Sequence, residues 1–216
     1  MQSGGARMSA ADSVATGTGT PVRQGRVFVI SGPSGVGKDS VIVRLLPLVD
    51  VDTVVTVTTR RPRDGEIDGV HYRFLSLDEF EAMRVRGDLL EYAFVHGNWY
   101  GVPADTVRAS LARGRDVLIK VDPQGARTIK RLLPDAIFIF LRPASIEELG
   151  ERLKGRGSET KEELALRLRN AEQELNEQRW FDYVVDNPNG QIDAATATLR
   201  DILTRHEDQP ASSPAP

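Results

Sequence analysis

Cysteine is absent from the chain, so disulfides, zinc–thiolate centres and thiol catalysis are excluded. Histidine is scarce. Only His71, His96 and His206 occur, too few for a histidine-rich metal site. No run approaches the roughly 20 consecutive apolar residues of a membrane-spanning helix, so no membrane partner is expected. Nor does one sign of charge dominate. The 28 Lys and Arg stand against 31 Asp and Glu, a formal net charge of −3, which argues against a general polyanion binder and against a nucleic-acid partner. No internal repeat is found. What the chain does have is apolar content, 40% of 216 residues, enough for the core of one domain.

The two ends read differently from the middle. Residues 1–24 are rich in Gly, Ser, Ala and Thr, and 208–216 contain the run Q-P-A-S-S-P-A-P. Both are expected to be disordered tails. The N-terminal stretch lacks the apolar centre of a secretion signal, and Asp12 fits poorly with a transit peptide. A cytoplasmic location is the expectation, consistent with the missing cysteines.

The most informative stretch is Gly32-Pro33-Ser34-Gly35-Val36-Gly37-Lys38. It follows the apolar run Val27 to Ile30 and leads into the helix-like run Val41 to Leu46. A strand that ends in a glycine-rich loop and opens a helix presents backbone N–H groups to a polyphosphate. The helix N-terminus adds partial positive charge, and the lysine reaches the outer phosphates. The spacing G-x-x-x-x-G-K implies a bound nucleoside triphosphate, with a ligand-free glycine turn as the alternative. After the lysine the general motif has Ser or Thr, whose hydroxyl meets Mg²⁺; here Asp39 stands there, with Ser40 next. A carboxylate also suits Mg²⁺, and its negative charge near phosphates is unfavourable unless the metal is present.

Around this loop the pattern alternates strand and helix. Strands are expected at Arg26 to Ser31, Thr53 to Thr59, Asp116 to Val121, Ala136 to Leu141 and Tyr183 to Val185. Helices are expected at Lys38 to Leu46, Gln124 to Leu133, Ser145 to Lys154, Thr160 to Gln178 and Gln191 to His206. Another starts at Pro103, taken as a first helical position, and is stopped by Gly114. Such alternation implies an α/β domain with a mostly parallel sheet covered on both faces. Between Arg60 and Pro103 the pattern changes. Short strands around Tyr72 to Leu75 and Leu89 to Val95 flank a helix opened by the capping box Ser76-Leu77-Asp78-Glu79. This reads as a small α+β insertion.

Four further segments carry chemistry. Arg60, Arg61 and Arg63 crowd a proline-fixed segment after the second strand, where guanidinium groups can grip phosphate; a merely solvated basic loop is the alternative. Glu91 lies among apolar neighbours in L-L-E-Y-A. A carboxylate there could accept the two adjacent N–H donors of guanine's Watson–Crick edge, which adenine lacks, although an isolated glutamate is more often on the surface. Asp122 ends an apolar strand, a place from which such residues approach Mg²⁺ or orient a reacting group. Arg152 and Arg156 belong to R-L-K-G-R-G, and Arg167 follows. Arginines on a glycine-flanked segment can close over two nucleotides. Against that stands a solvent-facing helix laced with Glu–Arg pairs, since Glu162, Glu163, Glu172 and Glu174 are near.

Together these pieces resemble the guanylate kinase family. The matching motifs are G-P-S-G-V-G-K at Gly32 to Lys38, T-T-R-x-P-R-x-G-E at Thr58 to Glu66, D-G-V-x-Y-x-F ending at Tyr72 and Phe74, L-L-E-Y-A at Leu89 to Ala93, G-N-W-Y-G at Gly97 to Gly101, V-D-P-Q-G-A at Val121 to Ala126, and R-L-K-G-R-G at Arg152 to Gly157. They occur in family order over roughly Gly25 to Arg205. The resemblance implies a P-loop NTPase three-layer core (25–58, 104–150 and 180–207), a GMP-binding insertion (59–103) and a helical lid (151–179). It implies transfer of the ATP γ-phosphoryl to GMP or dGMP, with Mg²⁺ entering on ATP. Lys38, Arg152, Arg156 and Arg167 would be catalytic. Gly32 to Ser40 and Asn187 would hold ATP, with Asp39 at the metal. Thr56, Arg60, Arg63, Tyr72, Glu91, Tyr100 and Asp122 would hold GMP.

The chain departs from the family pattern at Asp39, at Val102, where many relatives have a hydroxyl touching guanine, and at Lys120, where relatives often carry an acid and where a lysine could instead attract phosphate or disturb the local carboxylate. Two rival readings stand beside the kinase: a non-catalytic guanylate-kinase-like module that binds a protein, and a kinase for another nucleoside monophosphate. The intact lysine loop and lid arginines speak against the first, Glu91 and the tyrosine pair against the second. Oligomeric state is not legible.

Overall fold

The computed structural model describes residues 25–95, 97–154 and 161–207, with the backbone alone at 161–164 and 207. The expected tails, His96, the Thr160 cap and Arg156 lie outside these residues.

In chain order the strands are β1 (Val27–Ser31), β2 (Asp52–Thr53), β3 (Val57–Thr58), β4 (Arg73–Phe74), β5 (Leu89–Val95), β6 (Asn98–Pro103), β7 (Val117–Lys120), β8 (Ile137–Arg142) and β9 (Tyr183–Asp186). The helices are α1 (Lys38–Leu45), α2 (Leu77–Arg86), α3 (Ala104–Ala112), α4 (Pro123–Leu132), α5 (Ile146–Lys154), α6 (Lys161–Asn176) and α7 (Ile192–Glu207). Five strands in the order β2-β7-β1-β8-β9 form a wholly parallel sheet. Successive side chains of a strand point to opposite faces, and here each face is apolar. Phe28, Ile30, Leu118, Ile139 and Leu141 pack with residues of α1, α5 and α7. The alternate residues Val27, Val29, Ile119, Phe138 and Phe140 pack with residues of α3 and α4. The result is the expected three-layer α/β core, whose β1, β7 and β9 all end toward one side, where ligands of open parallel sheets collect.

The second sheet has the order β4-β3-β6-β5, with β6 antiparallel to both its neighbours. It corrects the sequence reading in three places. The β-branched run 53–59 is not one strand. Asp52 and Thr53 pair with β7 in the main sheet, whereas Val57 and Thr58 pair with β4 and β6. β-propensity shows that such residues suit a strand and is silent on the partner. The second sheet therefore starts at Val57, ahead of the expected boundary at 59. β6 itself was not anticipated, because N-W-Y-G-V-P shows no clear alternation. Finally, Pro103 ends β6 and caps α3, whose first residue is Ala104. The capping box at α2 is as expected. Ser76 Oγ accepts from Glu79 N at 3.2 Å, and Glu79 Oε2 accepts from Ser76 N at 2.8 Å.

Candidate active site

The loop between β1 and α1 is shaped by backbone that side chains would block. Gly32 has φ 141°, and a Cβ there would lie 2.3 Å from the carbonyl oxygen of Leu141. Gly37 caps α1 in the left-handed region at φ 95°. Lys38 then turns back over the loop, its Nζ donating to Gly32 O at 2.5 Å and Pro33 O at 3.2 Å. Burial lowers its pKa, with the charges of Glu174, Asp39 and Asp122 acting in opposition. The carbonyl of Val36 accepts from Asn187 Nδ2 at 2.8 Å and Arg152 Nη1 at 2.9 Å. Arg152 also donates to Asn187 O, Asn189 Oδ1 and Glu148 Oε1. It therefore braces the loop against the segment after β9.

Facing this loop is a basic and aromatic cradle from the second sheet. Arg60 makes a two-pronged pair with Glu66, at 3.0 and 2.8 Å, and its Nε donates to Tyr100 Oη at 3.2 Å. The rings of Tyr72 and Phe74 lie 5.4 and 5.7 Å from its guanidinium carbon, a cation–π arrangement. Burial works against the Arg60 charge, but Glu66 and Tyr100 outweigh it and raise its pKa. Glu66 also accepts from the backbone N–H of Arg63 at 2.7 Å. The exposed Arg63 lines the same cleft.

At the back sits Glu91, 4% exposed, which removes the surface alternative. Among the described residues its Oε1 has no hydrogen-bond partner. Burial and the neighbouring charge of Asp122 push its pKa up to about 8. The space is kept open by Gly125, where a Cβ would come within 2.9 Å of Glu91 Oε1. Asp122 Oδ1 caps α4 by accepting from Gly125 N at 2.7 Å. Thr56, buried nearby, donates its hydroxyl to Lys120 O at 3.3 Å. Val102 is fully buried in the core and sits opposite Glu91 in the β5–β6 register, so it supplies no polar group.

One cleft thus gathers most of the residues singled out from the sequence. Ser34 to Asp39, Thr56, Arg60, Arg63, Tyr72, Glu91, Tyr100, Asp122 and Arg167 all line it. Its open space, including the solvent at its mouth, is about 1010 Å³. Asn187 and Arg152 lie behind the loop, and Ser40 is exposed on α1.

Three residues had no assigned role in the sequence reading. Glu66 lay inside a quoted motif. Lys120 was read as a departure that could attract phosphate or disturb the local carboxylate, with no site role; it pairs with Asp39 and stands over the Tyr72 ring. Burial disfavours its charge, yet Tyr72 and Asp39 outweigh that and hold its pKa above the usual lysine value. Glu174 had been grouped with a solvent-facing helix. Instead it lines the cleft and accepts from Ser34 N at 3.2 Å. Burial raises its pKa against the pull of Lys38. Only the helical phase of α6, invisible in composition, could have placed it there.

Comparison with known proteins gives the family and the fold. The family model described as guanylate kinase matches residues 24–206. A guanylate kinase of Clostridioides difficile is 42% identical over 167 residues, covering 77% of this chain and 82% of that protein. One from Chromobacterium violaceum is 44% identical over 164 residues, covering 76% and 78%. The crystal structure of guanylate kinase from Anaplasma phagocytophilum superposes with a TM-score of 0.70 at 29% identity, covering 87% and 88% of the two chains.

Proposed function

The chain belongs to the guanylate kinase family, and from that premise we propose how its residues carry the ATP:GMP phosphotransfer that defines the family. One observation carries the proposal. A phosphate loop with its lysine faces, across a single cleft, an arginine–tyrosine cradle with a buried carboxylate behind it. Those are the requirements for two nucleotides laid end to end.

The main-chain amides of residues 34–38 and Lys38 would hold the ATP phosphates. Arg60, Arg63, Tyr72 and Tyr100 would hold the acceptor phosphate, Arg60 already oriented by Glu66. Glu91 would accept guanine's N1–H and 2-amino N–H, with Thr56 beside it and Asp122 fixing the neighbouring helix. dGMP is included with GMP as an acceptor. Arg167 reaches the cleft from α6, and Arg156, outside the described residues, belongs to the same lid by motif. Arg152 and Asn187 would hold the loop and the adenosine side. The acceptor is already an ionised phosphate, so no strong general base is needed. Rate comes from alignment and from positive charge around the moving phosphoryl.

Magnesium enters this reading with ATP. Among the described residues no group of three or more His, Asp or Glu could hold a metal unaided. Mg²⁺ typically keeps several waters and binds through one or two carboxylates plus substrate phosphates. Asp39 fits that chemistry, since its carboxylate is half exposed and lines the cleft next to Lys38. When bound, the metal would spread the negative charge of the phosphates. A cytoplasmic location is part of the proposal and rests on family membership.

The test is a coupled ADP-release assay with GMP, dGMP, AMP, UMP and CMP as acceptors. GMP and dGMP should support turnover and the others should stay at background. Turnover with AMP or a pyrimidine acceptor instead of GMP would reassign the acceptor. No turnover with any of them would leave a non-catalytic module.

A further inference from the structure

Lys120 occupies the seam between the two halves of the cleft, and the function proposed above gives it no task. It is the last residue of β7, its side chain is 13% exposed, and it lines the cleft. Its Nζ pairs with Asp39 Oδ1 in the first turn of α1, directly after the phosphate-loop lysine. The same ammonium stands 3.9 Å from the centroid of the Tyr72 ring, in the cradle that holds Arg60. One cation therefore touches a donor-side residue and an acceptor-side residue at once. Two other cations of the cleft are held on one side of it. Lys38 donates to Gly32 and Pro33 within its own loop, and Arg60 is held by Glu66 and Tyr100.

We propose that Lys120 is a further catalytic residue, touching the phosphoryl group on its way from ATP to the acceptor phosphate, with Asp39 as the positioning residue that fixes its ammonium. The inference rests on the kinase reading and deepens it. A lysine has a flexible stem that must be restrained before its charge can be preorganised. Asp39 and the ring of Tyr72 supply that restraint from two sides. An ammonium has three N–H donors, so the bond to Asp39 leaves donors for phosphate oxygen. The pair also offsets the negative charge that Asp39 brings beside the phosphates. That offers a lesser role, in which Lys120 only neutralises Asp39, and the two roles part company in a double variant.

The experiment compares wild type, Lys120→Met, Lys120→Arg and the double variant Lys120→Met with Asp39→Ser. Serine keeps an oxygen at the position where phosphate loops generally carry a hydroxyl, so the double variant is charge-balanced without Lys120. Measured are kcat and KM for ATP and GMP, dissociation constants for each nucleotide, and the thermal midpoint. Lys120→Met should lower kcat about 10²-fold, as loss of one preorganised transition-state donor does. GMP affinity and the thermal midpoint should hardly move, and Lys120→Arg should recover about tenfold or more of the lost rate. The double variant should stay about as slow as Lys120→Met alone. Recovery of the double variant to within about threefold of wild-type kcat would reduce Lys120 to a counter-ion of Asp39 and overturn the proposal. So would a Lys120→Met variant with undiminished kcat, or a rate loss that follows the thermal midpoint and is not relieved by arginine. Wild type that does not phosphorylate GMP at all would instead sink the kinase reading itself, so the two failures are distinguishable.

Discussion

Glu91→Gln tests the base-reading claim through its dependence on pH. Guanine presents two N–H donors, and only an ionised carboxylate accepts both. In the free enzyme burial and Asp122 hold the Glu91 pKa at about 8. At pH 7 about one molecule in ten carries the accepting form, a handicap of about 1.4 kcal/mol. Wild-type kcat/KM for GMP should therefore climb about five- to tenfold per pH unit below 8 and level off above it. The glutamine has one carbonyl to accept a bond and turns an N–H₂ toward a second donor. Losing a charge-assisted bond costs about 1.5–3 kcal/mol, and burying opposed donors about 1–3 kcal/mol more. Together these lower kcat/KM about 10² to 10³-fold or more at pH 9, with the gap narrowing about tenfold at pH 7. The acceptor phosphate has its own ionisation near pH 6, which both enzymes share, so the ratio of the two profiles isolates Glu91. KM for ATP should not move. The same group predicts a stability trend. Between the unfolded value near 4.5 and the folded value of about 8, the native state keeps a proton that the unfolded chain has shed. Wild-type stability should thus fall as pH rises through that window, and the glutamine variant should lack that fall. Parallel pH profiles for the two enzymes, or an equal rise in KM for ATP, would refute the assignment of Glu91 to guanine.

Lys38→Ala should lower kcat by about 10² to 10³-fold in the same assay while the thermal midpoint stays close to wild type. Glu66→Gln keeps one accepting oxygen, turns an N–H₂ toward the donors at the other, and removes the counter-charge of Arg60. KM for GMP should rise about tenfold, with about 1 kcal/mol lost from stability in denaturant titration. Gly32→Ala places a methyl 2.3 Å from the Leu141 carbonyl oxygen at a φ of 141°. It should cost about 3 kcal/mol or more, seen in calorimetry as a drop of about 6–12 °C.

The parts of the site that sequence revealed are those whose geometry is local. Gly32 to Lys38 are contiguous between a strand and a helix, so their order states the loop outright. The capping box at Ser76 and Glu79 and four of the five core strands, β1, β7, β8 and β9, follow the same logic, because each is decided within a few residues. Arg60 and Glu91 were visible as candidates, but their partners were not. Glu66 is only six residues from Arg60, but the loop turn that folds it back is not written in composition. Tyr72 and Tyr100 reach Arg60 through the pairing of β3 with β4 and β6, and strand partners are not written in propensity. The divided run Asp52 to Thr58 failed for that reason too. Lys120 and Asp39 are 81 positions apart, and either alone reads as an anomaly. Glu174 looked like one of several solvated acids until the packing of α6 turned it inward.

The cleft is held together by the same charges that it would offer to its substrates. Arg60 is paired with Glu66, Lys120 with Asp39, and Lys38 with two carbonyls of its own loop, while Glu174 accepts from the amide of Ser34. The loop amides and Lys38 are the groups a triphosphate needs, so its entry must exchange those partners one for one. Glu174 is the costly member of that exchange. It comes from α6 and presents a carboxylate to the Ser34 N–H that a phosphate oxygen would take, within reach of the charge of Lys38. A carboxylate and a phosphate cannot share that amide, since like charges at contact distance are repelled strongly away from bulk water. Filling the loop therefore requires α6 or the Glu174 side chain to move, and α6 is the element that brings Arg167 to the cleft. If α6 moves as a whole, donor binding would shift Arg167 with it; if only the Glu174 side chain turns away, Arg167 would stay where it is.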